Sequence, residues 1–131
     1  MIDLTPYLFH KHAYGHYDCI KALDNFYIDS FGYSLEIPSY PSSRLWMRNF
    51  TTNIVEDWAA TRAIKVSLTD AKNYDLMVFK SKTSNHLTHF AMYLERNKMF
   101  HVEEGKTSCI ELLSDYWLDR LYATYRHDKM V

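Results

Sequence analysis

The stretch His89-Phe90-Ala91-Met92-Tyr93-Leu94-Glu95-Arg96-Asn97-Lys98-Met99-Phe100-His101 decides how the chain is read. Thr88 to Leu94 is the apolar, aromatic run of a buried strand, and Met99 to Val102 is its shorter return. Glu95 to Lys98 is polar and reads as the turn between them. Two strands joined by so short a link pair antiparallel. Residues at similar distances from the turn then lie opposite one another, so His89 and His101 fall near each other on one face.

The neighbouring segments extend this hairpin. Leu76-Met77-Val78-Phe79 is a short apolar run consistent with another buried strand, and Ser81 to Leu87 is the polar loop that links it to the hairpin. Ile64 to Leu68 alternates and reads as a strand or its approach; Thr69 to Asn73 is a polar turn. On the other side, Gly105 marks a turn, Cys109 to Leu113 a short strand, Ser114 to Trp117 a turn, and Leu118 to Arg126 a final strand. The mildly basic run Arg120 to Lys129 reads as a solvated edge. The N-terminal half has a different period. Ile20, Leu23, Phe26, Tyr27 and Phe31 recur at helical spacing, with Asp18 as N-cap and Gly32 as C-cap. Residues 33–48 read as loop because of Pro38, Pro41 and their serines, and Phe50 to Arg62 reads as a second helix capped by Thr51 or Thr52. Residues 1–17 read as a short turn and loop broken at Pro6. Helices first and an antiparallel meander afterwards make an α+β class, with helices on one side of a sheet of about five strands. The 131 residues form a single domain, 1–131.

Composition excludes several classes of function. Net charge is −1, so no global field draws in nucleic acid. No apolar run approaches the length needed for membrane insertion. The start, Met-Ile-Asp-Leu-Thr-Pro, has neither the basic region nor the apolar region of a secretion signal. Three glycines form no phosphate loop. Two cysteines, in unlike contexts, point to neither a disulfide framework nor a zinc site, so neither a metal nor a cofactor is expected. His10 and His12 read as surface or groove-rim residues, and Cys109 as a buried free thiol.

Cys19 carries the chemistry. It stands at the first helical position after Tyr14-Gly15-His16-Tyr17-Asp18, where the positive end of the helix dipole favours a thiolate. It needs a base, and the hairpin supplies one. Cys19 would attack, His89 would take its proton, and His101 would hold the other ring nitrogen of His89 and fix its tautomer. By ligand type alone the same three residues could also hold a metal, or could be unrelated; no tight ligand pair such as CxxC accompanies them.

The ordered set of motifs resembles the NlpC/P60 cysteine peptidases, papain-like enzymes that cut peptidoglycan stem peptides. The motifs are Pro6-Tyr7, Asp18-Cys19, Tyr74-Asp75-Leu76-Met77-Val78-Phe79, His89-Phe90-Ala91-Met92-Tyr93-Leu94 and Met99-Phe100-His101. The resemblance covers nearly the whole chain. The Tyr40-Pro41 pair and the ending Asp115-Tyr116-Trp117 to Tyr125-Arg126 look like the compact domains of tail-tip assembly proteins of long-tailed bacteriophages. Three positions depart from the family pattern: Lys21 replaces a common glycine, the glycine-rich run before the cysteine shrinks to Gly15, and Tyr74 replaces the glycine before Asp75.

The resemblance implies the papain-like NlpC/P60 fold and a catalytic set of Cys19, His89 and His101. It implies oxyanion or active-site support from Tyr7 and Asp18, and a groove lined by Tyr14, His16 and Tyr17. It implies hydrolysis of D-glutamyl–diamino acid bonds by a virion tail component. Such a protein is made in the host cytoplasm, acts at the host cell wall, and partners stem peptides and other tail-tip proteins. The alternative it allows is a structural tail-tip subunit that keeps the fold with little or no hydrolase activity.

Overall fold

A computed structural model describes residues 1–84 and 86–131. Asp18 starts the first helix, α1 (Cys19–Phe31), as its carboxylate accepts the N–H groups of Ile20 at 3.1 Å and Lys21 at 2.9 Å. The same carboxylate takes the N–H of Gly15 at 2.9 Å and the hydroxyl of Ser39, so the cap also ties down two loops. Gly32 ends the helix with φ +80°, a left-handed backbone that a side chain would disfavour. Ile20, Ala22, Leu23, Phe26 and Tyr27 are buried along one face, the pattern that helical spacing of apolar residues anticipates.

Between residues 33 and 48 the structure departs from the expected loop. Ser42 caps a seven-residue helix, α2 (Ser43–Asn49), which buries Trp46. Only one of its residues is buried, so it lacks the repeating apolar face by which a helix is read from sequence. The next helix, α3 (Thr52–Arg62), is the expected one, shortened at its start because Phe50 instead closes α2.

The strands are β1 (Ala63–Val66), β2 (Leu76–Lys80), β3 (Leu87–Leu94), β4 (Lys98–His101), β5 (Cys109–Leu112) and β6 (Leu121–His127). A single helical turn, α4 (Asp115–Leu118), precedes β6 where a turn was expected. All pairings are antiparallel, and the order across the sheet is β1-β6-β2-β3-β4-β5. β2 to β5 form the expected meander. β6 is not the solvated edge that its basic residues indicated. It lies inside the sheet between β1 and β2, with Ala123, Thr124 and Tyr125 buried. Its Arg126 is charged for a specific reason: the guanidinium holds the Asp75 carboxylate through Nε at 3.0 Å and Nη2 at 2.8 Å.

The helices cover one face of the sheet. Leu76, Val78, Phe90, Met92 and Phe100 point into that core, together with α1 and the tryptophans of α2 and α3. The alternate residues Met77, Phe79, Ala91, Tyr93 and Met99 point to the opposite face, where Trp117 of α4 covers them. Tyr74, in the position where the family pattern has glycine, adopts φ +79° and so keeps the backbone that glycine would supply. Its ring packs on Phe26 and Phe31, and its hydroxyl accepts the N–H of Ile2 at 2.8 Å. Among the described residues no helix is long and apolar enough to cross a membrane.

Candidate active site

β3 changes register beside His89. The pairing steps from Phe79↔His89 to Lys80↔Leu87, which leaves Thr88 as a bulge. The bulge lets Leu87 join the helix-side core while His89 sets its ring beside Phe79 and Trp117. β4 follows from Met92↔Phe100, so His101 is a diagonal neighbour of His89. The two rings meet: His89 Nε2 and His101 Nδ1 are 2.7 Å apart. The step repeats one strand further on. His101 pairs with Cys109 in register, and its Nε2 bonds the carboxylate of Glu111, two residues along β5. A hydrogen-bonded line of His89, His101 and Glu111 therefore crosses three strands.

Glu111 was missing from the sequence reading. Its signal lies in β5, where the usual alternation is inverted: Ile110 and Leu112 are exposed while Cys109 and Glu111 are half-buried. A strand that turns its carboxylate inward has a partner for it.

The line fixes proton positions. An ionised carboxylate only accepts, so His101 donates Nε2–H to Glu111. A neutral His101 then accepts at Nδ1, and His89 donates Nε2–H to it. That leaves a lone pair on Nδ1 of His89, the form a general base needs. Trp117 lies against both imidazoles, 5.2 Å from each ring centre, and Phe79 flanks His89. Under this cover burial pushes the pKa of His89 well below the ordinary imidazole value, with the neighbouring His101 adding to it. Burial lowers His101 too, against the opposing pull of Glu111.

Cys19 and His89 line one cleft of about 420 Å³. Its walls come from Tyr14 and His12, from Trp46 and Met47 of α2, and from the loop that holds Ser81 and His86. Asn85 of that loop lies outside the described residues. The thiol is buried, and burial together with the Asp18 carboxylate pushes its pKa up to about 12. This runs against the expected thiolate: burial is the larger cause, and the acid that caps the helix adds to it by opposing the dipole at its first residue. Both groups are thus pushed toward their neutral forms, the thiol by burial and Asp18, the imidazole by burial and His101.

The supporting residues divide. Asp18 is buried and positions Cys19 through the cap. Tyr14 lines the cleft, and its phenol stays protonated because burial and the nearby Glu104 raise its pKa. Tyr7 does not reach the cleft. Its hydroxyl donates to Asp29 at 2.9 Å and its ring packs edge-on against Phe26, further along α1. Tyr17 turns the same way and donates to the Tyr7 carbonyl at 3.2 Å, so it lines a separate hollow with Tyr7 and His10. His16 is exposed and borders neither. The reason is local. Ala13 and Tyr17 pair across Gly15, whose φ of +74° reverses the loop and leaves Tyr14 alone facing the thiol. His12 borders the cleft as a rim residue, as expected. Trp46, Glu111 and Trp117 are the site residues that sequence reasoning missed.

The family model of the NlpC/P60 family matches residues 5–126. The chain belongs to the NlpC/P60 family. That family consists generally of cysteine peptidases and amidases, which agrees with a cysteine and a histidine facing one cleft. A solved structure from Staphylococcus aureus subsp. aureus Mu50, described as similar to a lipoprotein of the NLP/P60 family, superposes with a TM-score of 0.62 at 24% identity. The match covers 92% of this chain and 37% of that one, so this NlpC/P60 domain spans little more than a third of its length. No curated protein matches the chain.

Proposed function

We propose that the protein is a cysteine peptidase that hydrolyses amide bonds of peptidoglycan stem peptides, of the D-glutamyl–diamino acid type. The observation that carries this reading is the base-ready Nδ1 of His89, held by His101 and Glu111 at the wall of the Cys19 cleft. The proton leaves the thiol as the bond to carbon forms, since neither partner is ionised at rest. Cys19 Sγ attacks the carbonyl, and His89 Nδ1 takes the thiol proton. The oxyanion lies near the backbone N–H of Cys19, which the helix leaves unpaired, and near the Tyr14 phenol. His89 then protonates the leaving amine, and afterwards takes a proton from the water that frees the acyl group.

The setting proposed for this activity is the tail tip of a long-tailed bacteriophage. There the protein would be assembled with other tail-tip proteins and would open the host wall locally. Support for this comes from the Tyr40-Pro41 and Asp115-Tyr116-Trp117 motifs. One observation favours a second reading, a structural subunit with little turnover: the thiol is buried and strongly protonated.

Incubation of the protein with muropeptides, followed by mass spectrometry of the products, separates the two. Wild type releases a fragment with a new diamino-acid amine, while Cys19→Ala releases none and keeps the wild-type circular dichroism. Equal products from both proteins overturn the peptidase reading. No products from wild type, alone or within assembled tails, leave the structural reading standing.

A further inference from the structure

Cys109 is not used by the chemistry above, yet it lies directly across from His101 in the β4–β5 ladder. One ligand atom each from His101, Cys109 and Glu111 lie within 4.8 Å of one another. A tetrahedral zinc ion holds such atoms about 3.5 Å apart, a difference that small side-chain rotations cover. Sulfur, imidazole nitrogen and carboxylate oxygen are the ligand types zinc prefers, and three protein ligands leave a fourth position for water. The approach is open. β5 is a sheet edge, Cys109 is half-buried, and the Glu111 side chain is 40% exposed. The fully buried partner is His101, the middle of the proton line.

We propose that His101, Cys109 and Glu111 form a zinc-binding site that switches the Cys19 centre off. The site is a property of the three residues; its regulatory consequence rests on the peptidase reading. Zinc takes the Nε2 lone pair of His101, so the single proton of that neutral ring moves to Nδ1. Nδ1 now donates toward His89 Nε2, which must accept. The proton of His89 then sits on Nδ1, the ring nitrogen left free of the His101 bond and the one the proposed mechanism uses as base. The base has become a donor, and Cys19 keeps its proton. The balance closes. The proton between the two rings passes from His89 to His101, the Nε2 proton of His101 goes to solvent, and solvent returns one to His89 Nδ1. Cys109 releases its thiol proton on binding, and nothing is oxidised or reduced.

Cobalt(II) in place of zinc gives a direct readout that needs no hydrolysis. Titration of wild type and Cys19→Ser is expected to give the same one-to-one tetrahedral spectrum with a thiolate-to-cobalt charge-transfer band. Cys109→Ser is expected to lose that band, and Glu111→Ala to weaken binding by about tenfold or more. Absence of the band in wild type, or its survival in Cys109→Ser, overturns the site. Iodoacetamide labelling of Cys19, followed by peptide mass spectrometry, tests the switch. Zinc is expected to slow labelling at least about tenfold in wild type, through the loss of base assistance, and to leave the rate in Cys109→Ser unchanged. Equal slowing in both overturns the switch. A wild-type protein that shows the band but cuts no wall peptide retains the site and loses the peptidase reading; one that cuts wall peptides without the band does the reverse.

Discussion

At the scale of single residues, the candidate site depends on where protons sit. Glu111 is not in contact with the thiol, yet it sets the tautomers of both histidines through its bond to His101. In Glu111→Gln an amide N–H can face His101 and invert that order. The expected outcome is a fall in kcat of about a hundredfold or more with KM little changed, by analogy with tautomer loss in hydrolase triads. Steady-state kinetics on a muropeptide checks it; a change confined to KM argues for a substrate contact instead. Asp18 acts on the thiol by its charge. Burial is the larger cause of the raised pKa and Asp18 the second. Asp18→Asn is therefore expected to lower the thiol pKa from about 12 without bringing it to the value of a free thiol. The iodoacetamide labelling rate should rise at lower pH than in wild type. An unmoved profile means that burial alone holds the proton.

At the scale of elements, stability and site geometry share the same contacts. Asp75 and Arg126 join the start of β2 to the end of β6 in a two-pronged ion pair, with side chains 3% and 14% exposed. Asp75→Ala leaves the guanidinium without its partner, and is expected to destabilise the protein by about 3 kcal/mol. Denaturant unfolding measures this. Gly15→Ala meets two obstacles, a backbone at φ +74° and a Cβ that would come 2.9 Å from Pro41 Cα. The expected cost is about 1–3 kcal/mol, with activity lost alongside because the loop carries Tyr14 into the cleft.

These elements also show what the sequence conveys. α1, with its cap at Asp18 and its stop at Gly32, is legible because each end has a residue of the right chemistry and the face between them repeats. The His89–His101 pair is legible because a short turn fixes register. α2 escapes notice because one buried tryptophan makes no period. The outward turn of Tyr7 and Tyr17 escapes too, since a loop has no period from which direction can be read. The thiol's protonation depends on burial, a property of the whole packing and not of the Asp-Cys dipeptide.

For the molecule as a whole, pH acts through buried imidazoles. His127 lies under Tyr33 and Trp58, and burial lowers its pKa from the ordinary value of 6.5. The folded protein holds this ring neutral, while the unfolded chain protonates it near 6.5. Below that pH the unfolded state binds more protons, so stability falls as pH drops through 6.5 toward the folded-state pKa. Urea midpoints are expected to decrease between pH 8 and pH 5, and His127→Phe should reduce that slope. An identical slope in the variant assigns the acid sensitivity to other groups.

The place of β6 has a consequence in time. Cys19, His89 and His101 are all made before Leu121, but β1 and β2 have no partner between them until residues 121–127 arrive. Ala123 and Tyr125 also complete the core against the helices. Pairing between strands so distant in sequence is slow and comes late. The nascent chain thus carries Cys19, His89 and His101 before its sheet is complete, and the sheet closes only after β6 slides between β1 and β2. Under the proposed peptidase reading, a cell meets that activity only once synthesis has passed residue 127.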